Sequence, residues 1–500
     1  MERLYPDKVY PMIDGTFVDD LPGAFKPVIN PATGEALAEV WFGQEEVIDR
    51  AVEAAERAQK AFKRVPAPKR AEYLYRLGAL LRRDKEKLSR LLTLENGKPI
   101  DEARGEVQEG IDMAFYMAGE GRRLFGQTTP AELPDKFAMS VRAPIGVVGL
   151  ITPWNFPIAI ATWKAFPALV SGNAVIWKPA SETPLMADAL SRLVIEAGFP
   201  QGVFNVVYVS GGDAIYMVEH PKIKVISFTG STEVGRTIAE RGGRLIKRVS
   251  LEMGGKNAVI VMEDADLDLA TEAILWCAYG TSGQRCTACS RVLVHVEVKE
   301  ALEKRLLDGI RSLKVGSGLD EAVRVGPVIN RGALEKIHHY VEIGQQEGAR
   351  LLIGGHPLVE AEYTGGYYYA PTLFTDVPAN ARIAQEEIFG PVLSIIPIRS
   401  LEEAIEINND VMYGLSSSIF TRDVNRVFRA MQELDTGIVY VNAGTTGAEI
   451  HLPFGGSKMT GNGHRDSGIQ ALDVFTEWKS IYVDYSGKLQ RAQIDVSYDE

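Results

Sequence analysis

The sequence predicts an α/β protein with two large domains, and three observations lead to that expectation. Hydrophobic residues recur at helical and at strand spacing by turns along the whole chain, which is typical of parallel sheets joined by crossover helices. The chain has 500 residues, whereas single hydrophobic cores stop growing at about 250–300 residues. Its composition, 46% hydrophobic and 24% charged, is that of an ordinary globular protein.

The first series of predicted elements occupies the N-terminal half. Apolar stripes predict helices over 45–64 and 84–95, and Asn96-Gly97 should end the second because glycine readily adopts a left-handed conformation. Buried strands and further helices then alternate. The strands are expected at 145–150, 174–177, 203–209 and 225–228, and the helices at 191–197 and 232–242.

The second series begins after Met253. It opens with a predicted helix for which Asp264 and Asp266 are well placed as caps. A strand and another helix follow. The helices are expected at 267–279 and 299–313, and the strand at 292–296.

Charge and cysteine content exclude several classes of protein. Lys and Arg number 54 against 66 Asp and Glu, a net charge of −12, which argues against nucleic acids and anionic membrane surfaces. The 3 cysteines rule out a disulfide scaffold and indicate a reducing compartment. We therefore expect neither nucleic acid nor membrane among the partners.

The sequence contains no predicted targeting or membrane segment. Its start lacks the apolar core of a secretion signal. The most apolar stretch, 145–177, has no uninterrupted run near the roughly 20 residues that a span needs. It is broken at Pro153, Asn155, Pro157, Lys164 and Pro167. We expect a cytoplasmic protein.

Residues 230–237 (GSTEVGRT) follow a predicted strand and open a predicted helix. They nearly match the phosphate loop GxxxxGK[ST], but Arg236 replaces the lysine, which argues against a nucleotide triphosphatase. Gly230 at a helix N-terminus could still offer N–H groups to a phosphate, and an ordinary tight turn is the alternative. The dinucleotide fingerprint GxGxxG is absent.

The three cysteines differ in their surroundings. Cys277 lies in an apolar helix and is expected in the core. Cys286 follows a glycine-rich turn, and the adjacent Arg285 should favour its thiolate. Cys286 and Cys289 have CxxC spacing, so a dithiol redox pair is an open alternative, whereas a four-ligand zinc site lacks a second CxxC. A loop cysteine alone is more often inert than catalytic.

Two polar side chains stand in apolar or rigid surroundings. Glu252 lies between apolar residues and two glycines, where a raised pKa could make it a general base. The alternative is a strand-end carboxylate held by Lys256. Asn155, flanked by aromatic residues and prolines, could donate to an oxyanion or simply satisfy its own backbone in a turn.

Together these segments resemble the aldehyde dehydrogenase superfamily over nearly the whole chain. Seven motifs in order are far more specific than any one of them. They are residues 153–157 (PWNFP), 178–181 (KPAS), 228–231 (FTGS), 252–256 (EMGGK), 283–286 (GQRC), 387–391 (EIFGP) and 453–456 (PFGG). The resemblance also explains the missing fingerprint, because the family binds its dinucleotide with an atypical turn.

The resemblance implies a domain organisation. A Rossmann-type NAD(P)-binding domain would comprise 1–123 and 144–252, and an α/β catalytic domain 253–444. The segments 124–141 and 481–500 are polar and partly alternating, which indicates exposed strands. A β oligomerisation element would accordingly comprise 124–143 and 478–500. Such an exposed edge would otherwise invite uncontrolled pairing, so we expect a homodimer or homotetramer.

The resemblance also implies a mechanism. Cys286 would attack an aldehyde substrate to give a thiohemiacetal. The Asn155 amide and the Cys286 backbone N–H would hold the oxyanion, and hydride transfer to the nicotinamide would leave a thioester. Glu252 would then activate water, and a carboxylate would leave.

Eight residues correspond to the family's cofactor site. They are Trp154, Lys178, Ser181, Gly230, Ser231, Gly235, Glu387 and Phe389. NAD-preferring members often have glutamate where this chain has Ser181, a glutamate that pairs with the ribose 2′-hydroxyl. Serine removes a repulsion against a 2′-phosphate, although Glu182 could take the glutamate's place. We expect NAD or NADP.

Several segments resemble the α-aminoadipic semialdehyde branch of the family. They are residues 446–450 (TGAEI), 105–109 (GEVQE) and the tail from 484. In that branch an acid on this helix and the arginine before the nucleophile grip the substrate's amino acid end; here these would be Glu109 and Arg285. Residues 451–453 (HLP) depart from the pattern, and Arg285 could instead be a surface charge.

Two other functions compete with hydrolytic aldehyde oxidation. A related enzyme class passes the thioester to coenzyme A, but its members generally lack the glutamate found here as Glu252. The fold has also been recruited as a structural protein, against which the joint presence of Cys286, Glu252 and Asn155 argues. We expect no metal site.

Overall fold

The computed structural model describes residues 4–495. Residues 1–3 of the expected cofactor domain and 496–500 of the expected tail strand lie outside this range. Two sheets of seven strands, each mostly parallel, dominate the chain, and helices cover them. The predicted α/β class is therefore confirmed.

The helices alternate with strands through both halves. They are α1 (Glu45–Phe62), α2 (Ala67–Arg83), α3 (Lys85–Asn96), α4 (Ile100–Glu120), α5 (Ala159–Val170), α6 (Pro184–Glu196), α7 (Asp213–Glu219), α8 (Thr232–Arg244), α9 (Leu267–Tyr279), α10 (Lys299–Ser312), α11 (Arg331–Gln346), α12 (Arg382–Gln385), α13 (Leu401–Asn409), α14 (Val424–Glu433) and α15 (Ala471–Phe475). Two short 3-10 turns occupy Gly280–Gly283 and Ala361–Tyr363.

The strands are mostly short. They are β1 (Lys8–Val9), β2 (Met12–Ile13), β3 (Thr16–Phe17), β4 (Gly23–Ile29), β5 (Ala36–Gly43), β6 (Gln127–Pro130), β7 (Lys136–Pro144), β8 (Val147–Ile151), β9 (Ala174–Lys178), β10 (Phe204–Val206), β11 (Ile223–Thr229), β12 (Arg248–Glu252), β13 (Asn257–Val261), β14 (Cys289–His295), β15 (Arg350–Ile353), β16 (Thr372–Thr375), β17 (Val392–Ile398), β18 (Tyr413–Gly414), β19 (Ser416–Phe420), β20 (Ile438–Val441), β21 (Ser457–Lys458) and β22 (Thr476–Asp484).

The strand order shows how the two large sheets are built. The first sheet runs β12-β11-β8-β9-β10-β2-β3 and the second β15-β16-β17-β14-β13-β19-β20. Neighbours from β8 to β12 pair in parallel, and each residue of β8 and β9 is buried. Strands buried on both faces read as continuous apolar runs, which is why the sequence revealed them.

A smaller sheet projects away from these cores. It has the order β22-β7-β6, and the nine residues of β22 pair antiparallel with β7. Most side chains of β22 are exposed, among them Trp478 and Tyr482. Strands β6 and β22 are therefore exposed as expected, whereas most of β7 is half-buried and the C-terminal strand lies earlier than expected.

Several sequence expectations are corrected in extent. The strand expected over 481–500 ends at Asp484, because the Asp484 carboxylate accepts hydrogen bonds from the backbone and hydroxyl of Ser486 in a turn. The helix expected from residue 191 begins at Pro184, whose fixed φ favours a first helical position. The strand expected over 203–209 is limited to β10.

Helix ends follow the predicted chemistry with one exception. Gly97 closes α3 with a φ of 89°. Asp266 caps α9 by accepting hydrogen bonds from the backbone N–H groups of Asp268 and Leu269. Asp264 is not a cap, because its carboxylate instead accepts from Thr421 and Arg422. Within residues 4–495, no helix is both long and apolar enough to cross a membrane.

The topology brings three loops together between the two sheets. One follows β8 and contains Asn155, one follows β12 and begins at Glu252, and one joins α9 to β14 and contains Cys286. The first two loops follow the carboxyl ends of parallel strands in one sheet, a natural place for a site, and the third leads into β14 of the other sheet.

Candidate active site

A cavity of 280 Å³ lies where these loops meet helices α4 and α5. Cys286 and Glu252 line it together with Glu109 and Arg285. Much of its wall is apolar or aromatic, including Phe156, Trp163, Trp276 and Phe454. The structure thus brings the expected nucleophile, base and substrate residues to one cavity.

The loop before Cys286 has an unusual backbone. Thr281, Ser282 and Gly283 have φ values of 50°, 57° and 70°, the left-handed region that β-branched residues rarely adopt. A Cβ on Gly283 would lie 2.1 Å from the Gly390 carbonyl oxygen, so only glycine fits there. Strained backbone of this kind persists only where surrounding contacts hold it.

The Cys286 thiol does not have the lowered pKa that Arg285 was expected to produce. Removal from water, with the nearby Glu387 and Glu252 carboxylates, raises the pKa of this thiol to about 12. The Arg285 guanidinium turns instead to Glu102, with which it forms an ion pair. If Cys286 is the nucleophile, as the sequence predicts, a base has to remove the thiol proton before attack.

Glu252 ends β12 with its side chain in the cavity. It is 3% exposed, and neither carboxylate oxygen has a hydrogen-bond partner among residues 4–495. Burial and then Asp466 raise the pKa of this carboxyl well above its ordinary value, whereas Lys164 and Arg465 act in the opposite direction. A carboxylate with a raised pKa is a stronger base than an ordinary one.

The alternative in which Lys256 holds Glu252 is wrong. The Lys256 ammonium is buried and has no hydrogen-bond partner among the described residues. Burial, followed by the Arg291 charge, lowers the pKa of Lys256 to about 7. Because the Glu252 oxygens are also unpartnered, the two side chains do not form a pair.

A buried ion pair beside Glu252 was not foreseen. The Lys164 Nζ lies 2.7 Å from Asp466 Oδ2 and also donates to the Ser227 hydroxyl at 3.0 Å. The Lys164 and Asp466 side chains are 0% and 3% exposed. The signal in the sequence is a lysine inside the otherwise apolar α5, where the sequence analysis treats it only as a break in an apolar stretch.

Asn155 connects the β8 loop to the Cys286 loop. Its side-chain amide donates to the Gln284 carbonyl at 3.1 Å, and its own carbonyl accepts from Lys98 Nζ at 2.7 Å. The turn interpretation is therefore wrong, since the side chain bonds to a distant segment. Gln284 is two residues before Cys286, so the Asn155 N–H group lies at the nucleophile loop.

Helix α4 contributes two buried acids that the sequence analysis assigned no role. Glu106 accepts from Lys98 Nζ at 2.5 Å and from the backbone N–H of Ile158. Glu102 accepts from the Thr281 backbone N–H at 2.9 Å and pairs with Arg285. Residues four apart share a helix face, and that spacing was the available signal.

Both expected substrate residues, Glu109 and Arg285, line the cavity. Half-buried Glu109 forms no ion pair with Arg285 in the described part of the chain, because Arg285 is engaged by Glu102. Burial and the neighbouring Glu106 carboxylate raise the pKa of Glu109 to about 8.

Part of the expected cofactor site lies at the ends of β9 and β11. Lys178 is 8% exposed, and burial lowers the pKa of its ammonium. Ser181 is exposed. The Gly230 N–H donates to the Glu252 carbonyl at 3.1 Å, so it is not the free donor that the turn suggested. The Ser231 hydroxyl caps α8 by accepting from Val234.

The remaining residues of the expected cofactor site each make a different kind of contact. Gly235 allows close packing, because a Cβ there would lie 2.3 Å from the Met253 sulfur. Glu387 accepts from the Gly255 N–H at 3.0 Å, and burial raises the pKa of its carboxyl. Phe389 packs edge-on against Trp154 at 5.6 Å.

The dithiol alternative does not fit the structure. Cys289 is buried and its thiol donates to the Arg291 carbonyl at 3.4 Å, and Cys277 lies in the core as expected. Both belong to the core of the second sheet, whereas Cys286 packs against the core of the first half. All three cysteines are free. Among residues 4–495, no group of three or more His, Cys, Asp or Glu side chains is placed to hold a metal.

Comparison with known proteins covers nearly the whole chain. Residues 17–481 match the model of the aldehyde dehydrogenase family. The alpha-ketoglutaric semialdehyde dehydrogenase of Bacillus subtilis is 41% identical over 475 residues, which cover 94% of this chain and 97% of that protein.

Solved structures agree with this match. The betaine aldehyde dehydrogenase of Staphylococcus aureus in complex with NAD+ has a TM-score of 0.93 and 32% identity, over 96% of this chain and 95% of that one. An NADP-dependent enzyme of E. coli has a TM-score of 0.93 and 37% identity, over 97% and 99% of the two chains. The similarity thus extends through both large sheets.

Proposed function

Because the chain belongs to the aldehyde dehydrogenase family, we propose that Cys286 is the nucleophile of its reaction, with Glu252 as general base and Asn155 as oxyanion donor. The activity follows from the family and its relatives: the chain is an enzyme that oxidises aldehydes with NAD or NADP. The observation that carries the assignment of roles is the cavity lined by the Cys286 thiol and the unpartnered Glu252 carboxyl.

The proposed reaction begins when the Cys286 sulfur attacks the aldehyde carbon and the carbonyl electrons move to oxygen. Glu252 is suited to accept the thiol proton, since its charge already acts on that thiol. The Asn155 amide and the Cys286 backbone N–H stabilise the oxyanion. Loss of hydride leaves a thioester, and Glu252 passes the thiol proton to solvent. Glu252 then takes a proton from water, the hydroxide adds to the thioester carbon, and the Cys286 thiolate leaves and takes up that proton as the carboxylic acid product ionises.

The residues at the ends of β9 and β11 fit a dinucleotide. The Lys178 ammonium is nearly buried and forms no ion pair within the described residues, so ribose hydroxyls would satisfy it. We assign Ser181, Ser231 and the start of α8 to the adenosine and phosphate groups, and Glu387 with Phe389 and Trp154 to the nicotinamide side. When bound, NAD or NADP accepts the hydride.

We also propose the domain division stated above, with 1–123 and 144–252 for the cofactor, 253–444 for catalysis and 124–143 with 478–500 for assembly. The exposed aromatic side chains Trp478 and Tyr482 on β22 support a homodimer or homotetramer through this sheet. Free cysteines support a cytoplasmic location.

For the substrate we propose a semialdehyde with a charged far end, as in the α-aminoadipic semialdehyde branch. Glu109 lines the cavity and pairs with no cation among residues 4–495, so it is available to an amino group. Arg285 uses Nε and one terminal nitrogen for Thr281 and Glu102, which leaves its other terminal nitrogen for a carboxylate.

Rapid mixing with an aldehyde panel tests the roles. Cys286→Ala should form no reduced cofactor, whereas Glu252→Gln should slow both the first formation of reduced cofactor and the later turnover, because the thiol and the water each lose their base. Asn155→Ala should lower kcat by about 10²–10³-fold. The buried thiol variant Cys277→Ala is the matched control. Full turnover by Cys286→Ala would refute the proposal.

Two further arms separate the alternatives. Glu109→Gln should raise KM for semialdehydes that carry an amino group, with little effect on neutral aldehydes of similar length. Coenzyme A should not accelerate the wild type, because water is the proposed acceptor. Acceleration by coenzyme A with formation of an acyl-coenzyme A would instead support the acylating class.

A further inference from the structure

Helix α4 presents three acids toward the site at helical spacing. Glu102, Glu106 and Glu109 lie on one face, since residues four and seven apart project in the same direction. Glu106 holds the Asn155 segment through Lys98 and through the first N–H groups of the α5 region. Glu102 holds the opposite segment, which carries the nucleophile.

The contacts of Glu102 form a closed polar cluster. One carboxylate oxygen accepts from the Thr281 backbone N–H at 2.9 Å, and the other accepts from the Thr281 hydroxyl at 2.5 Å and from the Arg285 guanidinium. The Arg285 Nε in turn donates to the Thr281 hydroxyl at 3.1 Å. The Glu102 side chain is 4% exposed, so solvent screens these bonds weakly.

The cluster contacts the part of the Cys286 loop whose backbone is strained. Thr281 and Ser282 are left-handed, a strained conformation that persists only where surrounding contacts maintain it. The Ser282 hydroxyl donates to the Gly326 carbonyl at 2.7 Å, which fixes one side of the turn. Glu102 fixes the other side, and the chain then runs through Gln284 to Cys286.

We propose that Glu102 is a positioning residue that holds the loop 281–285 in its left-handed form and thereby places the Cys286 sulfur in the cavity. The proposal rests on the assignment of Cys286 as nucleophile. It also gives Arg285 a structural task, because its guanidinium joins Thr281 to Glu102 beside the cavity.

Loss of Glu102 should act on the nucleophile in two opposite ways. The loop would relax toward ordinary backbone angles, which displaces the sulfur and should lower kcat by about 10²-fold with little change in KM for the cofactor. The same relaxation would expose the thiol to water, lower its pKa and so accelerate its alkylation by about 10-fold.

The experiment compares Glu102→Ala and Glu102→Gln with wild type. The amide keeps an acceptor for the Thr281 N–H but loses the charge that binds Arg285, so Glu102→Gln should recover part of both effects. The matched control is Glu86→Gln. Glu86 is an exposed acid on α3 that pairs with Arg104 on the outer face of α4. It should leave kcat and alkylation unchanged.

Alkylation by iodoacetamide is followed by mass spectrometry without substrate or cofactor, so this readout does not depend on the assigned reaction. Faster alkylation of Cys286, with the buried Cys277 and Cys289 still protected, supports the proposal. Equal exposure of all three thiols would mean general unfolding and would overturn it. A Glu102→Ala variant with the same kcat and the same alkylation rate as wild type would also overturn the proposal. If the wild type oxidises no aldehyde but Cys286 alkylation changes in the variants as expected, the result would refute the proposed reaction and not the positioning role of Glu102.

Discussion

The buried pair of Lys164 and Asp466 predicts different effects on stability and on chemistry when each partner is neutralised. Lys164→Met keeps most of the side-chain volume but leaves the Asp466 carboxylate without its cation. Asp466→Asn leaves the Lys164 ammonium with only its hydrogen bond to Ser227. Both partners are almost fully buried and 2.7 Å apart, so solvent can compensate for neither loss.

The magnitude of the stability effect follows from that burial. Removing one partner of a buried ion pair costs about 3–5 kcal/mol because it leaves an uncompensated charge. The double variant Lys164→Met with Asp466→Asn removes both charges. Its loss should therefore be smaller than the sum of the single losses by about 1–3 kcal/mol.

The effect on chemistry should have opposite signs in the two single variants. Lys164 lowers the pKa of Glu252, whereas Asp466 raises it. A general base acts in its deprotonated form, so activity falls as pH drops through that pKa. Lys164→Met should move the acid limb of the kcat profile to higher pH, and Asp466→Asn should move it to lower pH.

The assay combines urea unfolding at fixed protein concentration with pH profiles of kcat for the three variants. Single variants within 1 kcal/mol of wild type would refute the stability argument. Shifts of the acid limb in the same direction would refute the electrostatic argument, even if both variants were unstable. The acid limb of the double variant should lie between those of the two single variants.

Three other predictions concern separate parts of the chain. Ser181→Glu should weaken NADP binding relative to NAD by about 10-fold or more through charge repulsion, and an unchanged ratio of the two Kd values would contradict this. Glu252→Gln should increase stability at pH 8 but not at pH 5, because a raised pKa means that wild-type stability is lost as pH rises through it; a gap of equal size at both pH values would contradict it. Gly283→Ala should cost about 3 kcal/mol, since the new Cβ meets the Gly390 carbonyl in a left-handed residue, whereas Gly105→Ala in open space on α4 should stabilise slightly.

The elements and the main site residues could be predicted because their signals are local. Strands β8 and β9 are buried throughout, so their apolar runs are visible without knowledge of the partners. The cap of α9 at Asp266 follows from residue type and position alone. Cys286 and Glu252 were recognisable because their short motifs carry the chemistry.

Other features could not be predicted because they depend on what packs opposite. Pro184 marks the start of α6, whereas the apolar spacing alone predicts a helix only from residue 191. The Gly230 N–H was expected to be free, yet β12 runs beside it and the Glu252 carbonyl takes that hydrogen bond. The Lys164 and Asp466 partners are separated by 302 residues, so no local pattern joins them.

The expectation for Arg285 failed for a reason that applies to the whole site. Adjacency in sequence suggested that its charge would act on the Cys286 thiol, but the left-handed turn directs the guanidinium toward Glu102 on α4. The spacing of the acids along α4 can be read from the sequence, but the residues that these acids contact cannot. Glu102 and Glu106 hold the two catalytic segments from one helix, so the distance between Asn155 and Cys286 depends on a rigid element that bears neither residue. Under the proposed roles, the raised thiol pKa means that Glu252 rather than a preformed thiolate starts the reaction, so the placement of the sulfur beside its base matters more than its charge.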